Sequence, residues 1–365
     1  MAVNDWRERG AHEVSMGPKV TVAIPTYNRA SLLKDCLEMV LRQTFQDFEV
    51  IVSDNCSTDD TAETVRAFSD PRIRYYRNGS NLGVYANMNR CLELACGEYI
   101  TITHDDDFYA PQFIEQEVRL LDAHPNVGMV HCAAFETDSA GMPQWLKVYS
   151  DTPISIRKGK EVFVQFLHGH TVYCPSVMAR ASLYRTVGPY DTRHRSGDYH
   201  MWLRMALQAD VGYLAQPLVA VRIHEGRLSS ALKPLEWFED FAKVFEEGMA
   251  WGEAACPDLL GSKKDLVRKV ARTQGRRFLI TAFSAAADRD WTTVEGCVEV
   301  LRKLQVWGLP KAYAFAAQLS ANPAGYCILS PVRQLRRLRG RWGLKGREGW
   351  NNLAPERAAG GQFRD

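Results

Sequence analysis

Three adjacent carboxylates, Asp105–Asp107, follow the apolar run at residues 99–103 and are preceded by His104. Because neighbouring carboxylates repel one another, such a group is costly unless a cation or solvent compensates for its charge. Carboxylate oxygens are preferred ligands of Mg²⁺ and Mn²⁺, and phosphate groups commonly complete the coordination of such ions. The segment therefore predicts a divalent-cation site. The alternatives are a solvated acidic turn and the N-cap of a helix over Phe108–Leu121.

A second polar cluster, SDNCSTDDT at residues 53–61, follows the apolar run EVIV. Asp54 stands at the carboxyl end of that predicted strand, where its carboxylate can contact a ligand. Ser57 or Thr58 can cap the helix that follows. A tight polar turn is the structural alternative for this cluster.

A third cluster, IPTYNR at residues 24–29, follows the run VTVAI. Pro25 is expected to end this strand, because proline cannot donate to the ladder of a sheet. The ring of Tyr27 offers a flat face on which a nucleobase can stack. A turn that leads into a helix is the alternative.

These clusters require elements that bring them together. Strands are predicted at VTVAI, FEVIVS, 73–76 and 99–103, and helices at 31–43, 58–68 and 84–95. This alternation predicts an α/β fold with a mostly parallel, Rossmann-like sheet that is flanked by helices. Because ligands bind outside the carboxyl ends of strands in open parallel sheets, the three clusters are expected to converge on one site.

Composition argues against several classes of protein. The 365 residues are 46% hydrophobic, which suffices for one large core or two modest ones, and the net charge of +2 does not indicate a nucleic-acid-binding protein. Nine cysteines without a CxxC pair fit neither a disulfide framework nor a structural zinc site, so a cytoplasmic protein is expected. The charged N-terminus lacks the apolar core of a signal peptide, and no long uncharged apolar run predicts a membrane span.

The chain is predicted to have four regions. Residues 1–18 form a mobile leader, 19–230 the main domain, 231–330 a helical extension, and 331–365 a basic, partly disordered tail. The arginines of the tail interleave with apolar residues, a pattern that fits an anionic membrane surface. A solvated terminus, or a basic helix packed on the protein, is the alternative. Nucleic acid is not expected as a partner, because no recognised binding module accompanies the arginines.

Taken together, the segments resemble family 2 of the inverting glycosyltransferases, which have the A-type nucleotide-sugar-binding fold. The similarity runs in order through VAIPTYNR, QTFQDFEVIVSDNCSTDDT, NLGVYANMN and GEYITITHDDDFYAP. It continues through CPSVMARASLYRTVGPYD, SGDYHMWLRM and RIHEGRLS. The resemblance implies a nucleotide-sugar-binding half at 19–111 and an acceptor half at 112–230.

The resemblance assigns the donor nucleotide to the ends of the first strands and the loop after the third. The implied nucleotide-binding residues are Pro25, Thr26, Tyr27, Arg29, Asp54, Asn81 and Asp105, with Asn89 as a further donor-side candidate. A carboxylate accepts a hydrogen bond from the imide N–H of uracil or thymine, so Asp54 favours UDP or dTDP as the donor nucleotide.

The HDDD segment is expected to hold Mg²⁺ or Mn²⁺. The resemblance places Asp106 at the metal-binding position of the family, and Asp107 is a further candidate. His104 stands where an aspartate is more usual. If a nitrogen of His104 binds the ion, Mn²⁺ is favoured over Mg²⁺, because an imidazole is a softer ligand than a carboxylate.

RIHEGRLS, residues 222–229, resembles the family segment that closes over the donor diphosphate. The resemblance implies His224 as a further metal ligand, and Arg222 and Arg227 as contacts to the phosphate oxygens. A histidine in a surface loop is the alternative. His168 and His170, in contrast, have the spacing of two faces of a strand or loop and are not expected to bind zinc.

SGDYHMWLRM, residues 196–205, resembles the segment that carries the general base, and the resemblance assigns this role to Asp198. From the residues alone, an N-cap of the following helix is the preferred interpretation of Asp198. Many relatives have a glutamate directly before this aspartate, where the present chain has Gly197. Trp202 and Leu203 are expected in the core, where they hold the helix that presents Asp198.

The resemblance implies a metal-dependent, inverting glycosyltransferase that moves a sugar from a UDP- or dTDP-sugar to a saccharide or lipid-linked acceptor in surface polysaccharide or glycoconjugate synthesis. A cytoplasmic protein, peripheral on the inner membrane face, is expected. A sugar nucleotidyltransferase is one alternative, although IPTYNR supplies only Arg29 where a glycine-rich, basic phosphate loop is usual. A catalytically degenerate nucleotide-sugar-binding scaffold is the other alternative, suggested by His104 and Gly197.

Overall fold

The computed structural model of the protein describes residues 17–150, 152–169, 172–224, 233–287 and 290–305. Most of the predicted leader, the predicted basic tail, His170 and Arg227 lie outside the described residues. Among the helices that are described, none combines the length and the apolar character needed to span a bilayer.

The first half of the chain builds a parallel sheet, as its alternating pattern predicts. The strands are β1 (Val20–Thr26), β2 (Phe48–Asp54), β3 (Ile73–Arg77) and β4 (Tyr99–Ile102). The helices are α1 (Ala30–Leu41), α2 (Thr61–Arg66) and α3 (Val84–Leu94). The four strands pair in parallel in the order β3-β2-β1-β4, so their carboxyl ends share one edge of the sheet.

The register of these strands aligns the polar clusters. Thr26 at the end of β1 lies opposite Asp54 at the end of β2, and Ala23 of β1 lies opposite Ile102, the last residue of β4. The segments that leave these strands therefore emerge side by side. The expected convergence of the three clusters on one edge is present in the fold.

The second half of the chain extends the same sheet with strands of both directions. Its elements are β5 (Phe108–Tyr109), α4 (Phe113–Ala123), β6 (Val127–Thr137), β7 (Pro143–Lys147), β8 (Ile154–Arg157), α5 (Gly159–Leu167), β9 (Val177–Arg180), α6 (Ala181–Val187), α7 (Gly197–Gln208) and β10 (Asp210–Arg222). β9 lies antiparallel between β4 and β6, whereas β10 lies parallel to β6. The α/β fold class is confirmed.

Helices follow the sheet, as predicted for the C-terminal extension. They are α8 (Pro234–Ala255), α9 (Pro257–Leu260), α10 (Lys263–Ala287) and α11 (Trp291–Gln305). Phe241, Phe245 and Met249 of α8 belong to the same buried cluster as Trp202 and Leu203 of α7, which confirms the predicted core position of those two residues. The helix that carries Asp198 is thus packed between the sheet and the extension.

Three local predictions are wrong. A helix does not begin at Phe108, because Phe108 and Tyr109 pair with β10 as the short strand β5, and the helix begins at Phe113. Neither Ser57 nor Thr58 caps α2, since that helix begins at Thr61. β1 also continues past Pro25, because the next residue still pairs with the end of β2.

Candidate functional site

The carboxylates after β4 contact the turn that follows β1. Asp105, Asp106 and Asp107 are all at most 6% exposed. Thr26 donates its hydroxyl hydrogen to Asp105 Oδ2 at 2.7 Å. Arg29 Nη1 lies 3.0 Å from Asp105 Oδ1 and 2.8 Å from Asp106 Oδ2. The predicted nucleotide-side residues Thr26 and Arg29 are therefore in direct contact with the predicted metal-binding segment.

The segment at the end of β10 closes the other side of the carboxylate cluster. The backbone N–H of Arg222 donates to Asp107 Oδ1 at 2.9 Å, and His224 Nε2 lies 2.8 Å from Asp106 Oδ2. The guanidinium of Arg222 stacks 4.4 Å from the ring centroid of Phe108. Asp106 thus touches both Arg29 from one strand end and His224 from another.

Burial and mutual repulsion shape the electrostatics of the three carboxylates. Burial raises the pKa of Asp105, and the charge of Asp106 adds to the effect, so that the pKa reaches about 6. Burial and the charge of Asp106 likewise raise the pKa of Asp107. Burial also acts on Asp106, but His104, His224 and Arg29 outweigh it and lower the pKa of this carboxyl. A bound cation would reduce the repulsion among the three carboxylates and so stabilise the state in which all of them are ionised.

The residues present fit a divalent cation. One ligand atom from each of His104, Asp106 and Asp107 lies within 4.8 Å of the others. His104 Nε2 and Asp107 Oδ2 are buried without a hydrogen bond among the described residues, although His104 Nδ1 lies 3.4 Å from Asp107 Oδ2. Buried polar atoms are normally paired, so this incompletely paired cluster suits a bound ion. A set of carboxylate oxygens with imidazole nitrogens is compatible with Mn²⁺ and, through the oxygens, with Mg²⁺.

The predicted base-binding residue Asp54 is fully buried at the end of β2. Its Oδ1 accepts a hydrogen bond from the backbone N–H of Ser57 at 2.8 Å, and its Oδ2 accepts one from the hydroxyl of Tyr75. Both oxygens accept a hydrogen bond within the protein, and each retains a further lone pair. Because the side chain is fully buried, contact between Asp54 and a nucleobase requires the residues that cover it to move.

Tyr27 directly follows β1 at the edge of the sheet where the parallel strands end, and 42% of its surface is exposed. Asn28, the next residue, has a positive φ of 53°, a conformation that asparagine tolerates better than most residues. Its Oδ1 accepts from the backbone N–H of Thr58 at 2.7 Å, and its own N–H donates to Ser57 Oγ at 2.9 Å. Asn28 therefore ties the turn after β1 to the turn after β2 and leaves the tyrosine ring accessible.

The two predicted donor-side asparagines have different surroundings. Asn81 Oδ1 accepts from Asn55 Nδ2 and from the backbone N–H of Gly83, both at 2.9 Å, so it shapes the loop before α3. Asn89 instead holds the backbone of Tyr190: its Nδ2 donates to the carbonyl at 2.9 Å and its Oδ1 accepts from the N–H at 2.7 Å. Both ends of the Asn89 amide are used in joining α3 to the segment between α6 and α7.

The predicted general base, Asp198, is half-buried in the first turn of α7. Ser196 is the N-cap residue, and the described residues provide no side-chain cap to this helix, so the N-cap alternative for Asp198 is wrong. Tyr85 of α3 lies beside it, and the Tyr85 hydroxyl donates to the carbonyl of Arg195 at 2.9 Å. Burial raises the pKa of Tyr85 well above its usual value, and the charge of Asp198 adds to this. The carboxylate therefore sits close to the start of α3.

Three residues that organise this site were assigned no role from the sequence, namely Asn28, Asn55 and Tyr85. All three lie inside the matched motifs, in IPTYNR, SDNCSTDDT and NLGVYANMN. Asparagine after a strand end was an available signal for the first two, because its amide can bridge neighbouring turns. The sequence contains no comparable local signal for the role of Tyr85.

The A-type nucleotide-sugar-binding fold implied by the sequence is confirmed by likeness to two solved structures. A crystal structure of S. aureus TarS in complex with UDP-GlcNAc matches with a TM-score of 0.59 at 16% identity, covering 87% of this chain and 92% of that chain. The mannosyltransferase PcManGT from Pyrobaculum calidifontis, in complex with GDP-Man and Mn²⁺, matches with a TM-score of 0.52 at 20% identity, covering 91% and 92%. These likenesses show the fold.

The family follows from sequence comparison. The family model described as glycosyl transferase family 2 matches residues 21–188. The putative glycosyltransferase EpsE of Bacillus subtilis is 30% identical over 218 residues, which are 57% of this chain and 74% of that protein. The putative colanic acid biosynthesis glycosyl transferase WcaA of Escherichia coli is 30% identical over 200 residues, which are 52% of this chain and 67% of that protein. The chain belongs to glycosyltransferase family 2 and is a glycosyltransferase.

Proposed function

We propose that this enzyme transfers a sugar from a UDP- or dTDP-sugar to an acceptor hydroxyl, with inversion and with help from a divalent cation. The observation that carries the proposal is the position of Asp106, which contacts Arg29 from the turn after β1 and His224 from the end of β10. Three strand ends thereby surround one buried carboxylate group, at the sheet edge where nucleotide ligands bind in parallel α/β folds.

The nucleotide is proposed to lie along the ends of β1 and β2. The exposed ring of Tyr27 offers a stacking face, and Pro25 and Thr26 form the adjoining edge. Asp54 can accept a hydrogen bond from a uracil or thymine imide once the residues that bury it move aside, which favours UDP or dTDP. TarS is recorded with UDP-GlcNAc but PcManGT with GDP-Man, so the two fold neighbours bind different bases.

The diphosphate is proposed to lie over the carboxylate cluster. Asp106 and His224 would hold the cation, and His104 and Asp107 lie close enough to share it. When bound, the ion supplies positive charge where negative charge builds on the departing diphosphate. Arg29, Arg222 and Arg227 are the proposed contacts to phosphate oxygens. Arg29 would then give up part of its contact with Asp105 and Asp106 and bind phosphate oxygens of the donor instead.

Asp198 is proposed to take the proton from the acceptor hydroxyl. The acceptor oxygen then attacks the anomeric carbon from the face opposite the nucleotide, and the bond between that carbon and the diphosphate oxygen breaks. Its electron pair leaves with the nucleotide, so the configuration inverts and the sugar is never attached to the protein. The N-terminal turn of α7 stabilises the negative charge of Asp198 before the proton arrives.

The biological setting is proposed from the relatives and the tail. WcaA is described as a colanic acid biosynthesis enzyme, which supports a role in surface polysaccharide or glycoconjugate synthesis. The acceptor is then a saccharide or a lipid-linked saccharide. The basic tail at 331–365, outside the described residues, would hold the protein on the anionic inner face of a membrane, where such acceptors lie. This location fits a cytoplasmic, peripheral protein.

A screen of UDP-, dTDP- and GDP-sugars by thermal unfolding with Mn²⁺ tests the donor. A donor at about 100 times its dissociation constant stabilises the folded state by about 2.7 kcal/mol, so the correct nucleotide should stand out. Release of free nucleotide from that donor then separates an enzyme from a degenerate scaffold, which would bind the donor without turnover. Stabilisation by GDP-sugars and not by UDP- or dTDP-sugars would overturn the proposed base preference.

A further inference from the structure

A second group of metal-ligating side chains lies at the start of α7, outside the carboxylate cluster described above. One ligand atom from each of Asp191, His194 and His200 lies within 4.8 Å of the others. Asp191 and His194 come from the segment before α7, and His200 comes from the first turn of that helix. The two histidines are 5% and 3% exposed, so this is a buried group and not a surface cluster.

The histidine rings leave nitrogen atoms unsatisfied. Both nitrogens of His194 and Nδ1 of His200 are buried and have no hydrogen-bond partner within the described part of the chain. A buried polar atom without a partner costs free energy, and native proteins rarely tolerate several in one place. Each neutral imidazole has one nitrogen with a lone pair, so His194 and His200 can each offer one nitrogen atom to a bound cation.

Glu247 of α8 holds the opposite edge of the rings. Its Oε2 lies 3.1 Å from His200 Nε2, and its Oε1 lies 3.3 Å from His194 Nε2. A histidine that binds a metal through one nitrogen usually gives the N–H of the other nitrogen to a carboxylate, which fixes the orientation of the ring. His200 has this arrangement, with Nε2 on a carboxylate and a buried Nδ1 that is left for a ligand.

A pair of charged histidines bound to carboxylates fits these contacts less well. Asp240, 3.6 Å from His194 Nδ1, already accepts hydrogen bonds from the backbone N–H groups of Arg195 and Ser196. Nδ1 of His200, in contrast, has no hydrogen-bond partner among the described residues and is therefore available as a metal ligand. Histidine binds metal ions in its neutral form.

We propose that Asp191, His194 and His200 bind a zinc ion, with Glu247 orienting the histidines. Two imidazole nitrogens with a carboxylate suit Zn²⁺, whereas Mg²⁺ and Mn²⁺ prefer sets dominated by oxygen. Arg193, whose side chain is 76% exposed, contacts both oxygens of Asp191: its backbone N–H and Nε donate to Oδ1, and Nε and Nη2 donate to Oδ2. Binding of the ion would displace part of this solvent-exposed pair.

Such an ion would join the segment before α7 to the first turn of α7, and through Glu247 to α8. Asp198 lies two residues before His200, so the proposed role is to hold the general base in place. The proposal goes beyond the proposed function, because it concerns an ion that does not touch the donor.

Zinc content and thermal unfolding of the untagged full chain test the site. After treatment with a chelator, incubation with Zn²⁺ and removal of free metal, wild type is expected to retain about one zinc ion per chain and to unfold at a higher temperature than the stripped protein. His194→Ala and His200→Ala should lose both the zinc and the increase in Tm. His124→Ala, which removes an exposed histidine outside the cluster, should behave as wild type.

Asp106→Asn separates this site from the carboxylate cluster, since it should leave the retained zinc unchanged. His200→Gln, which keeps most of the shape of the ring, and the far-UV circular dichroism of every variant guard against loss of folding. The proposal is overturned if stripped wild type shows no zinc-dependent increase in Tm. It is also overturned if folded His194 and His200 variants retain as much zinc as wild type, or if Asp106→Asn abolishes the retention.

Discussion

The ring of Tyr85 occupies the space that a side chain at Gly197 would need. A Cβ atom on Gly197 would lie 2.9 Å from three ring atoms of Tyr85, closer than a carbon–carbon contact allows. The ring also stacks on Tyr190, with centroids 5.8 Å apart and an interplanar angle of 19°. Gly197, directly before Asp198, is therefore complementary in shape to Tyr85 of α3.

Gly197→Ala is expected to destabilise the protein by about 1–3 kcal/mol, the usual cost of overpacking a filled site, and to lower turnover by displacing the first turn of α7. Tyr85→Ala in the same chain should relieve the clash, so the two changes together should cost less than their sum. Urea unfolding and initial rates measure both effects. Gly79→Ala is the control, because no described atom lies within 4 Å of a Cβ at that position. If the two substitutions have additive effects, the contact between Tyr85 and residue 197 does not contribute to stability.

Asp106→Asn is expected to abolish metal-dependent donor binding, because an amide cannot supply the negative charge that a Mg²⁺ or Mn²⁺ site requires. Calorimetric titration with UDP in the presence and absence of Mn²⁺ measures the effect. Asp258→Asn, an exposed aspartate of α9, is the matched control. If the Asp106 variant binds UDP with unchanged affinity in the presence of Mn²⁺, Asp106 is not the metal ligand, and Asp105 or Asp107 takes that role.

Asp198→Asn is expected to lower kcat by at least about 10²-fold, while the affinity for the donor stays near that of wild type, because a general base acts on the acceptor. The substitution keeps the side-chain oxygen that accepts a hydrogen bond from the N–H of Tyr199 at 2.8 Å, so the helix start should remain folded. Steady-state kinetics measure kcat, and titration with the donor measures its affinity. Parallel losses in turnover and donor affinity would instead assign Asp198 a structural role.

Glu117→Gln is expected to stabilise the protein increasingly as the pH rises. Glu117 in α4 is fully buried, neither carboxyl oxygen has a hydrogen-bond partner in the described ranges, and burial raises its pKa well above the usual value. Wild type must therefore take up a proton on folding above the pKa of the unfolded chain. The contribution of Glu117 to the free energy of unfolding is fully present below about pH 4.3, the pKa of an unfolded glutamate. As the pH rises from there towards the folded pKa, the free energy of unfolding falls by up to about 1.4 kcal/mol per pH unit.

Urea unfolding between about pH 5 and about pH 8 checks the sign of this effect. The difference in the free energy of unfolding between Glu117→Gln and wild type should grow through this range. Glu115→Gln, which changes an exposed glutamate one half-turn away, should show no such growth. A difference that is constant with pH would mean that Glu117 is ionised in the folded state.

Local pattern was sufficient to predict the parallel sheet and the edge at which its polar residues meet. Strands and helices follow from the period of apolar residues within a few positions, and the carboxyl ends of parallel strands must share an edge. The placement of IPTYNR, SDNCSTDDT and HDDD side by side could therefore be predicted without coordinates. The family motifs supplied the expected roles of Asp106 and Asp198, which remain proposals.

Contacts between residues far apart in the chain were decided by packing. Tyr85 and Gly197 are 112 positions apart, as their numbers show, and only the approach of α3 to α7 reveals that one fills the space left by the other. The same holds for Glu247, which reaches His194 and His200 from a helix that begins after the matched motifs. A sequence pattern records which face of an element is apolar, but the partner of each side chain depends on how the elements pack in three dimensions.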